Sequence, residues 1–407
     1  MSQDNVHFLV PGSLTTATGG YHYDRRLIQG LRELGWGVVV RSLDPGFPFP
    51  GREALAEADD VLTSIASDEL VIIDGLALGA MPEVLANHAS RLRLIALIHH
   101  PLALETGLEP DVARSLEESE RKALHWVRHV IVTSESTRAT LERYAVDAAC
   151  ISVIKPGTDA VPSADPLRSP PPLRSPDPVP WATRRAPMNC IEGRSNGRME
   201  SGAGRLRAGS AGGARQLMCV ATITPRKGHA LLIEALAGLR HLPWQLVCVG
   251  STERSPQTTQ ALRQQIRSAA LSERVRLVGE LASPALEECF AAAELFVLAT
   301  HYEGYGMAVA EALAHGLPVI ATRTGAIADL VVPGAGRVVE PGDCNSLRAA
   351  LSEVLTNGRV YAALVAGARA ARDRLPRWPE TCWEAAKILE AVKQATGRPR
   401  SMGASSD

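Results

Sequence analysis

Short apolar runs alternate with amphipathic stretches twice along this chain, and this alternation is the feature that most restricts its fold. Apolar strands that alternate with helices form parallel sheets with helices on both faces. In the first series, strands are predicted at residues 6–10, 37–43, 70–74, 92–99, 129–133 and 150–154. Helices are predicted between them, near residues 21–34, 53–65, 82–88, 111–127 and 137–144. This series therefore predicts one doubly wound α/β domain.

A second series of the same kind begins at residue 216. Its strands are predicted at residues 217–223, 245–249, 275–278, 295–298, 318–321 and 337–339. Helices lie between them, for example at residues 229–239 and 257–270, and the pattern after residue 343 is helical up to a last helix at 378–395. A chain of 407 residues also exceeds one ordinary hydrophobic core. The predicted fold class is α/β, with two doubly wound, Rossmann-like domains that face a ligand cleft.

The segment between the two series has a different composition. Nine of the 27 prolines lie between residues 161 and 187, and a stretch rich in Gly, Ser, Ala and Arg follows. Such a segment cannot bury enough apolar surface to offset the entropy lost on ordering, so it is predicted to be a disordered linker, with partner binding through its arginines as the alternative. The predicted organisation is a first domain at 1–159, the insert at 160–215, a second domain at 216–375, a C-terminal helix at 376–396 that packs back on the first domain, and a flexible tail at 397–407.

Composition excludes several classes of protein. Lys and Arg total 43 against 44 for Asp and Glu, so no overall positive charge attracts nucleic acid. The seven cysteines are scattered, without a C-x-x-C pair, and are expected to be reduced core residues of a cytosolic protein. The sequence shows neither a membrane-spanning apolar run nor an export signal. The predicted location is the cytoplasm, and peripheral association with the inner face of the membrane stays open.

A glycine-rich loop with two glutamates lies between the predicted strands at 295–298 and 318–321. Glu303 belongs to the loop, and Glu311 belongs to the short helix that follows it. Gly304 and Gly306 allow backbone N–H groups to approach a ligand, and the amino end of the helix favours an anion. Either glutamate alone is more often a solvent-facing or dipole-complementing side chain than a ligand-binding residue. Together, at the carboxyl end of a buried strand, they predict a ligand site.

Two further motifs follow predicted strands. Arg226 and Lys227 lie just before the helix at 229–239, where two cations can hold a diphosphate, although an exposed basic turn is the alternative. Gly19 and Gly20 lie between the first strand and the first helix, where they allow close approach of a ligand or simply form a flexible turn.

A histidine pair, His99 and His100, ends the predicted strand at 92–99. A lone histidine is more often a structural hydrogen-bonding residue, and a pair could bind a metal. Adjacent residues of an extended chain point in opposite directions, and the sequence indicates no third ligand. The sequence also lacks D-x-D, G-x-G-x-x-G and P-loop motifs. No metal site and no bound cofactor are predicted.

The run from Tyr302 to Ile320 resembles the E-x7-E signature of the retaining glycosyltransferases of family 4 (group 1), which have the GT-B fold. Pro225–Gly228 resembles the Pro-x-Lys-Gly element of that family, and residues 155–159 are similar to its domain junction. The resemblance departs from the family at Thr222, where an arginine is usual, and in the loop at 325–329. Arg226 is the residue expected to supply the missing charge.

The resemblance implies a role for each matched residue. Glu311 would bind the ribose hydroxyls, Glu303 a sugar hydroxyl, and Arg226 with Lys227 the diphosphate, while His99 would lie beside the sugar. The remaining donor-binding residues would be Gly19 and Gly20 and the loop residues Gly304, Tyr305, Gly306, Met307 and Ala308.

The expected activity is metal-independent transfer of a hexose from a nucleotide diphosphate sugar to an acceptor hydroxyl, with retention of the anomeric configuration. The acceptor would be a glycan, a lipid or a small molecule. Two alternatives stay open: another GT-B enzyme such as a nucleotide-sugar epimerase, and an inactive sugar-nucleotide-binding paralogue.

Overall fold

The computed structural model of the protein describes residues 5–16, 18–159, 161 and 214–395. The predicted linker, apart from its residues 161, 214 and 215, and the predicted tail lie outside the described residues. Each half of the chain forms one parallel six-stranded sheet with helices on both faces. The predicted fold class is therefore confirmed. None of the helices in the described ranges has the length and apolar composition that a bilayer span requires.

The first sheet has the strand order β2-β1-β3-β4-β5-β6. Its strands are β1 Asn5–Pro11, β2 Gly37–Leu43, β3 Leu70–Asp74, β4 Arg93–Ile98, β5 His129–Val132 and β6 Ile151–Val153. Its helices are α1 Gly19–Glu33, α2 Arg52–Thr63, α3 Gly75–Leu78, α4 Pro82–His88, α5 Pro110–Leu124 and α6 Glu135–Arg143. The central strand β3 is buried along its whole length, as expected for a strand covered on both faces.

The second sheet has the strand order β12-β11-β10-β7-β8-β9. Its strands are β7 Arg215–Val220, β8 Trp244–Val249, β9 Val275–Gly279, β10 Leu295–Leu298, β11 Val319–Thr322 and β12 Gly336–Val339. The helices of this half are α7 His229–Ala237, α8 Pro256–Ser268, α9 Ser283–Ala292, α10 Met307–Ala314, α11 Ile327–Leu330, α12 Cys344–Thr356 and α13 Gly358–Arg372, and α14 Trp378–Gln394 is the last helix within the described residues.

The order of the strands reverses once in each sheet, and these reversals position the site. In the second sheet β7 pairs with β10, although the chain forms β8 and β9 between them. In the first sheet β1 pairs with both β2 and β3. Connections leave such neighbouring strands in opposite directions, which opens a crevice at the carboxyl ends of the strands. The loops that follow β7 and β10 therefore meet at one edge, as do those that follow β1 and β3.

Helix α14 packs on the first half of the molecule rather than on the second. Its buried face joins the core formed by β1 and α1, with Trp378, Cys382 and Leu389 among the buried residues. Thr158 donates both its backbone N–H and its hydroxyl to the carbonyl of Pro376. The end of the chain thus completes the hydrophobic core of the domain in which the chain begins.

Substitution of Gly30 tests this packing, because a Cβ atom on Gly30 of α1 would overlap with the side chain of Cys382. We expect Gly30→Ala to lower the free energy of unfolding by about 1–3 kcal/mol through overpacking, although alanine is the better helix former. The measurement is urea unfolding. Gly358→Ala is the matched control, since a Cβ atom at that helical position meets no other atom within 4 Å. Equal stability of the two variants would contradict the packing of α14 on α1.

Candidate functional site

An ion pair between Lys227 and Glu303 lies where the two loops of the second sheet meet. Lys227 ends the 3₁₀ turn Pro225–Lys227, which follows β7, and Glu303 lies in the loop after β10. Lys227 Nζ is 2.5 Å from Glu303 Oε2, and each side chain is only 15% exposed. Burial alone would raise the pKa of Glu303, but Lys227 and the nearby Arg226 lower it overall. Glu303 is therefore an ionised carboxylate held by a buried cation.

Arg226 spans the two halves of the molecule. Its Nε is 2.9 Å from Oε1 of Glu105, and its Nη1 donates to the carbonyl of Tyr302 at 3.1 Å. Burial opposes ionisation of Glu105, but a hydrogen bond from His100 and the charge of Arg226 lower the pKa of Glu105 to about 2. Arg226 is thus bound by a carboxylate of the first half. Its guanidinium group is therefore less available to a diphosphate than the sequence predicted.

Glu311 lies on α10 in a different electrostatic environment from Glu303. Burial, followed by the charges of Glu287 and Asp159, raises the pKa of Glu311 to about 7. Nε2 of His315 donates a hydrogen bond to Oε2 of Glu287 at 2.8 Å, which holds that carboxylate next to the helix. The two glutamates therefore differ in their tendency to ionise: the neighbouring cations favour the carboxylate form of Glu303, whereas burial favours the protonated form of Glu311 in the empty protein.

The loop between Glu303 and α10 also contacts the first half. Gly304 lies against the carbonyl of His99 so closely that a Cβ atom would overlap with it, and Gly306 has a φ of 95°, which favours glycine. Sδ of Met307 is 3.7 Å from the position that a Cβ atom on Gly19 would occupy. These contacts bring predicted site residues of both halves to one place.

Tyr305 and Ala308, two other predicted loop residues, lie in or against the protein interior, and the loop at 325–329 packs beside Glu303. Tyr305 is buried, and its hydroxyl has no hydrogen-bond partner within the described ranges. Ala308 packs against the core of the second domain. In the loop at 325–329, Gly325 lies against the carbonyl of Glu303, whereas Asp329 is exposed. That loop therefore supports the position of Glu303 through its backbone.

His99 lies at the carboxyl end of β4, next to two carboxylates that the sequence did not single out. Its Nε2 is 3.0 Å from Oδ1 of Asp24 and 3.5 Å from Oδ2 of Asp74. The three side chains each bring one polar atom within 4.8 Å of the others. Because 3.0 Å is a normal hydrogen-bond length, we assign the Asp24 contact as a hydrogen bond from the ring. Gly20 packs against the same ring, with a Cβ position 3.2 Å from its Cδ2 atom.

A cavity of about 240 Å³ opens between the loop after β1 and the carboxyl ends of β7, β8 and β9. Its lining contains four hydroxyl groups, one guanidinium group and two carboxylates. Its lining residues are Thr16, Thr18, Thr222, Ser251, Glu253, Arg254 and Glu280. Thr222 stands where the family resemblance leads one to expect an arginine, and Arg254 lines the same cavity from the loop after β8.

Two Rossmann-like domains whose strand ends face each other across such a site define the GT-B class of glycosyltransferases. The crystal structure of Anabaena HepE in complex with UDP-glucose has the same fold. The two align over 95% of this chain and 99% of that one, with a TM-score of 0.67 and 17% sequence identity. This likeness concerns the fold alone.

The sequence of each half matches a known family. Residues 19–161 match the model described as Glycosyltransferase Family 4, and residues 214–357 match the model described as Glycosyl transferases group 1. The chain belongs to the family 4 (group 1) glycosyltransferases, as its motifs predicted.

Individual proteins of known name align with this chain at low sequence identity or over only part of their length. The D-inositol 3-phosphate glycosyltransferase of Xylanimonas cellulosilytica is 31% identical over 175 residues, which are 42% of this chain and 40% of that one. The MMP alpha-(1->4)-mannosyltransferase of Mycolicibacterium hassiacum is 25% identical over 350 residues, which are 85% of this chain and 76% of that one. The first alignment thus spans less than half of the relative.

Proposed function

We propose that the protein transfers a hexose from a nucleotide diphosphate sugar to an acceptor hydroxyl, with retention of configuration and without a metal ion. The observation that carries this proposal is the buried Lys227–Glu303 pair at the strand reversal of the second sheet. It places one cation and one carboxylate beside the amino end of α10, where a diphosphate and a sugar hydroxyl can bind side by side. The family to which the chain belongs supports the proposal.

Each residue of the site has a distinct task in this proposal. Lys227 neutralises the departing diphosphate, and the backbone N–H groups at residues 304–308 assist it. Glu303 accepts a hydrogen bond from a sugar hydroxyl, and Glu311 accepts hydrogen bonds from the ribose. Arg226, bound to Glu105, holds the two halves together around the donor. These tasks separate stabilisation of the leaving group from recognition of the sugar and the nucleoside.

A second cation for the diphosphate is available in the cavity. Arg254 lines the cavity together with Thr222, whereas Arg226 has its Nε engaged by Glu105 of the first half and its Nη1 by the carbonyl of Tyr302. Two cations that approach a diphosphate from different loops hold it better than one, and a guanidinium can donate two parallel hydrogen bonds. We therefore assign the second phosphate contact to Arg254.

The chemistry requires no protein nucleophile. The bond between the anomeric carbon and the diphosphate oxygen breaks, and the bond to the acceptor oxygen forms on the same face of the sugar. The acceptor proton passes to the departing phosphate oxygen, so that atoms and charge balance. The contacts of Gly304 and Arg226 with the first half close the site and exclude water, which would otherwise compete as the acceptor.

The names of the relatives support the class of substrate. The Mycolicibacterium protein is named a mannosyltransferase, and the HepE structure contains UDP-glucose. A hexose on a nucleoside diphosphate is accordingly the proposed donor. The proposed acceptor is a hydroxyl of a glycan, a lipid or a small molecule, and the proposed location is the cytoplasm or the inner face of its membrane.

A panel of nucleotide sugars tests the proposal in two stages. We expect one donor to raise the melting temperature, because a ligand at 100 times its Kd stabilises the folded state by about 2.7 kcal/mol. With that donor and a panel of acceptors in EDTA, NMR should show a product with the anomeric configuration of the donor. A product of inverted configuration would contradict retention, and loss of transfer in EDTA would contradict independence from a metal ion. Interconversion of donor epimers would indicate an epimerase, and binding without transfer would indicate an inactive sugar-nucleotide-binding protein.

A further inference from the structure

Three adjacent strands of the first sheet bring Asp24, Asp74 and His99 together. Asp24 lies on α1, which follows β1; Asp74 ends β3; and His99 follows β4. Strands β1, β3 and β4 are neighbours in that order, so the three residues meet at one carboxyl edge. The edge faces the loop of Gly304 in the second half. The cluster therefore lies beside the site and not in a separate part of the molecule.

The two carboxylates are enclosed far more completely than the histidine. The side chains of Asp24 and Asp74 are 0% and 2% exposed, and that of His99 is 18% exposed. Oδ1 of Asp74 accepts a hydrogen bond from the backbone N–H of Leu76, and Oδ2 of Asp24 is buried without a partner within the described ranges. A buried carboxylate is costly unless a positive charge or several donors compensate it. The ring of His99 is the group in contact with both acids that can carry such a charge.

The hydrogen bond to Asp24 also determines which ring nitrogen is available. It engages Nε2, so a proton stays on that nitrogen, and Nδ1 becomes the atom that can meet a ligand. Tyr23 contacts the ring edge-on, with centroids 5.4 Å apart, and Gly20 packs on Cδ2, so both groups restrict rotation of the ring. The orientation of the ring is thus fixed from three sides.

We propose that Asp24, backed by Asp74, is a positioning residue that keeps His99 as an imidazolium with its Nδ1–H directed to an oxygen of the donor sugar. This inference rests on the proposed function for the identity of the sugar, but the arrangement of the three side chains does not. It assigns two acids of the first domain, together with His99 of the same domain, to a reaction whose phosphate-binding cations belong to the second domain. A positive ring beside the sugar would add to the charge stabilisation of the leaving diphosphate.

The net effect of the groups around His99 on its pKa favours the protonated ring. Burial lowers the pKa of His99, but the charge and hydrogen bond of Asp24 and the charge of Asp74 raise it overall. Burial and the charge of Asp24 raise the pKa of Asp74 overall, although the charge of His99 and the hydrogen bond from the backbone N–H of Leu76 oppose this rise. Tyr21 and Tyr23 stay neutral, since burial raises the pKa of both phenols. A group with a raised pKa loses its proton as pH rises, so the imidazolium is lost on the alkaline side.

Asp24→Asn tests the proposal, because it removes the charge and keeps the shape. The pKa of His99 is measured by NMR, with the ring signal identified by its loss in His99→Gln. We expect the apparent pKa to fall by about one unit, a tenfold change in proton affinity. The alkaline limb of the transfer rate should move by the same amount, so that the variant is about tenfold slower at pH 8 and close to the parent protein at pH 6. Asp60→Asn, an exposed site on α2, is the control.

Each result of the NMR titration and of the rate measurements either supports or contradicts the proposed role of Asp24. An unchanged pKa of His99 would overturn the inference even if the protein transfers sugar, and a lowered pKa with an unmoved alkaline limb would remove the ring charge from the reaction. A uniform loss of rate at all pH values would indicate a purely structural role. If Asp24→Asn does not fold, Asp74→Asn should shift both measurements in the same direction. Absence of transfer by the parent protein would refute the proposed function alone, since the NMR titration needs no substrate.

Discussion

Replacement of Lys227 by alanine is expected to reduce sugar transfer by about 10²–10³-fold, the usual loss when a preorganised group for developing charge is removed. The cation lies on the 3₁₀ turn after β7 and is 2.5 Å from Glu303, so its position is fixed before the donor binds. No reorganisation is then needed as the diphosphate departs. The measurement is the initial rate with saturating donor, since the loss should fall on kcat.

The same substitution should also destabilise the protein, and this effect needs a control. Without Lys227, Glu303 is a buried carboxylate with a missing partner, which costs about 3–5 kcal/mol. The double variant Lys227→Met with Glu303→Gln should recover most of the stability but none of the activity. Lys387→Ala, in an exposed pair with Glu384, should change neither. Full transfer activity in a folded Lys227→Ala variant would remove the cation from the mechanism.

Glu311→Gln is expected to weaken donor binding and, at the same time, to stabilise the empty protein. Two ribose hydroxyls lose a charged acceptor, and hydrogen bonds to charged groups contribute about 1.5–3 kcal/mol, so we expect affinity to fall about 10- to 100-fold. Calorimetry with the donor, compared with the same titration of Glu384→Gln at an exposed site on α14, measures this loss. An unchanged Kd would place the ribose elsewhere.

The stabilising effect of Glu311→Gln should depend on pH. The pKa of Glu311 is raised from 4.5 to about 7 in the folded protein, so the folded state holds this proton more tightly than the unfolded state. Stability of the parent protein is therefore lost as pH rises from 4.5 to 7, and glutamine avoids that loss. Thermal unfolding should show an advantage of the variant that is absent below pH 4.5, grows up to pH 7 and then stays constant. An advantage that is independent of pH would contradict ionisation of a buried Glu311.

The fold was predictable because its signals are local. Each buried strand is a short apolar run, and the loop from Glu303 to Gly306 together with α10 is a continuous stretch of sequence. The short helix α3 was not predicted, since four residues are too few to show a helical period. Asp74 caps that helix, so this omission also concealed one member of the His99 cluster.

Other parts of the site depend on contacts between distant residues and leave no local pattern. Asp24 is 75 positions from His99, and Glu105 reaches Arg226 from the other half of the chain. Neither acid belongs to a spacing motif, and each resembles an ordinary surface carboxylate in sequence. Arg254 is similar, because its position in the cavity depends on the register of β7 and β8. The site roles themselves stay predictions until the variants described above are measured.

The return of α14 to the first domain has a consequence for biosynthesis. Trp378, Cys382 and Leu389 of α14 fill a core whose buried members outside that helix lie between residues 6 and 154, including Val6 and Phe8. During translation, the amino-terminal domain leaves the ribosome with that apolar surface open to water. It can bury this surface only after the entire second domain has been synthesised. A nascent chain of this protein is therefore expected to keep an apolar surface uncovered until α14 has been synthesised.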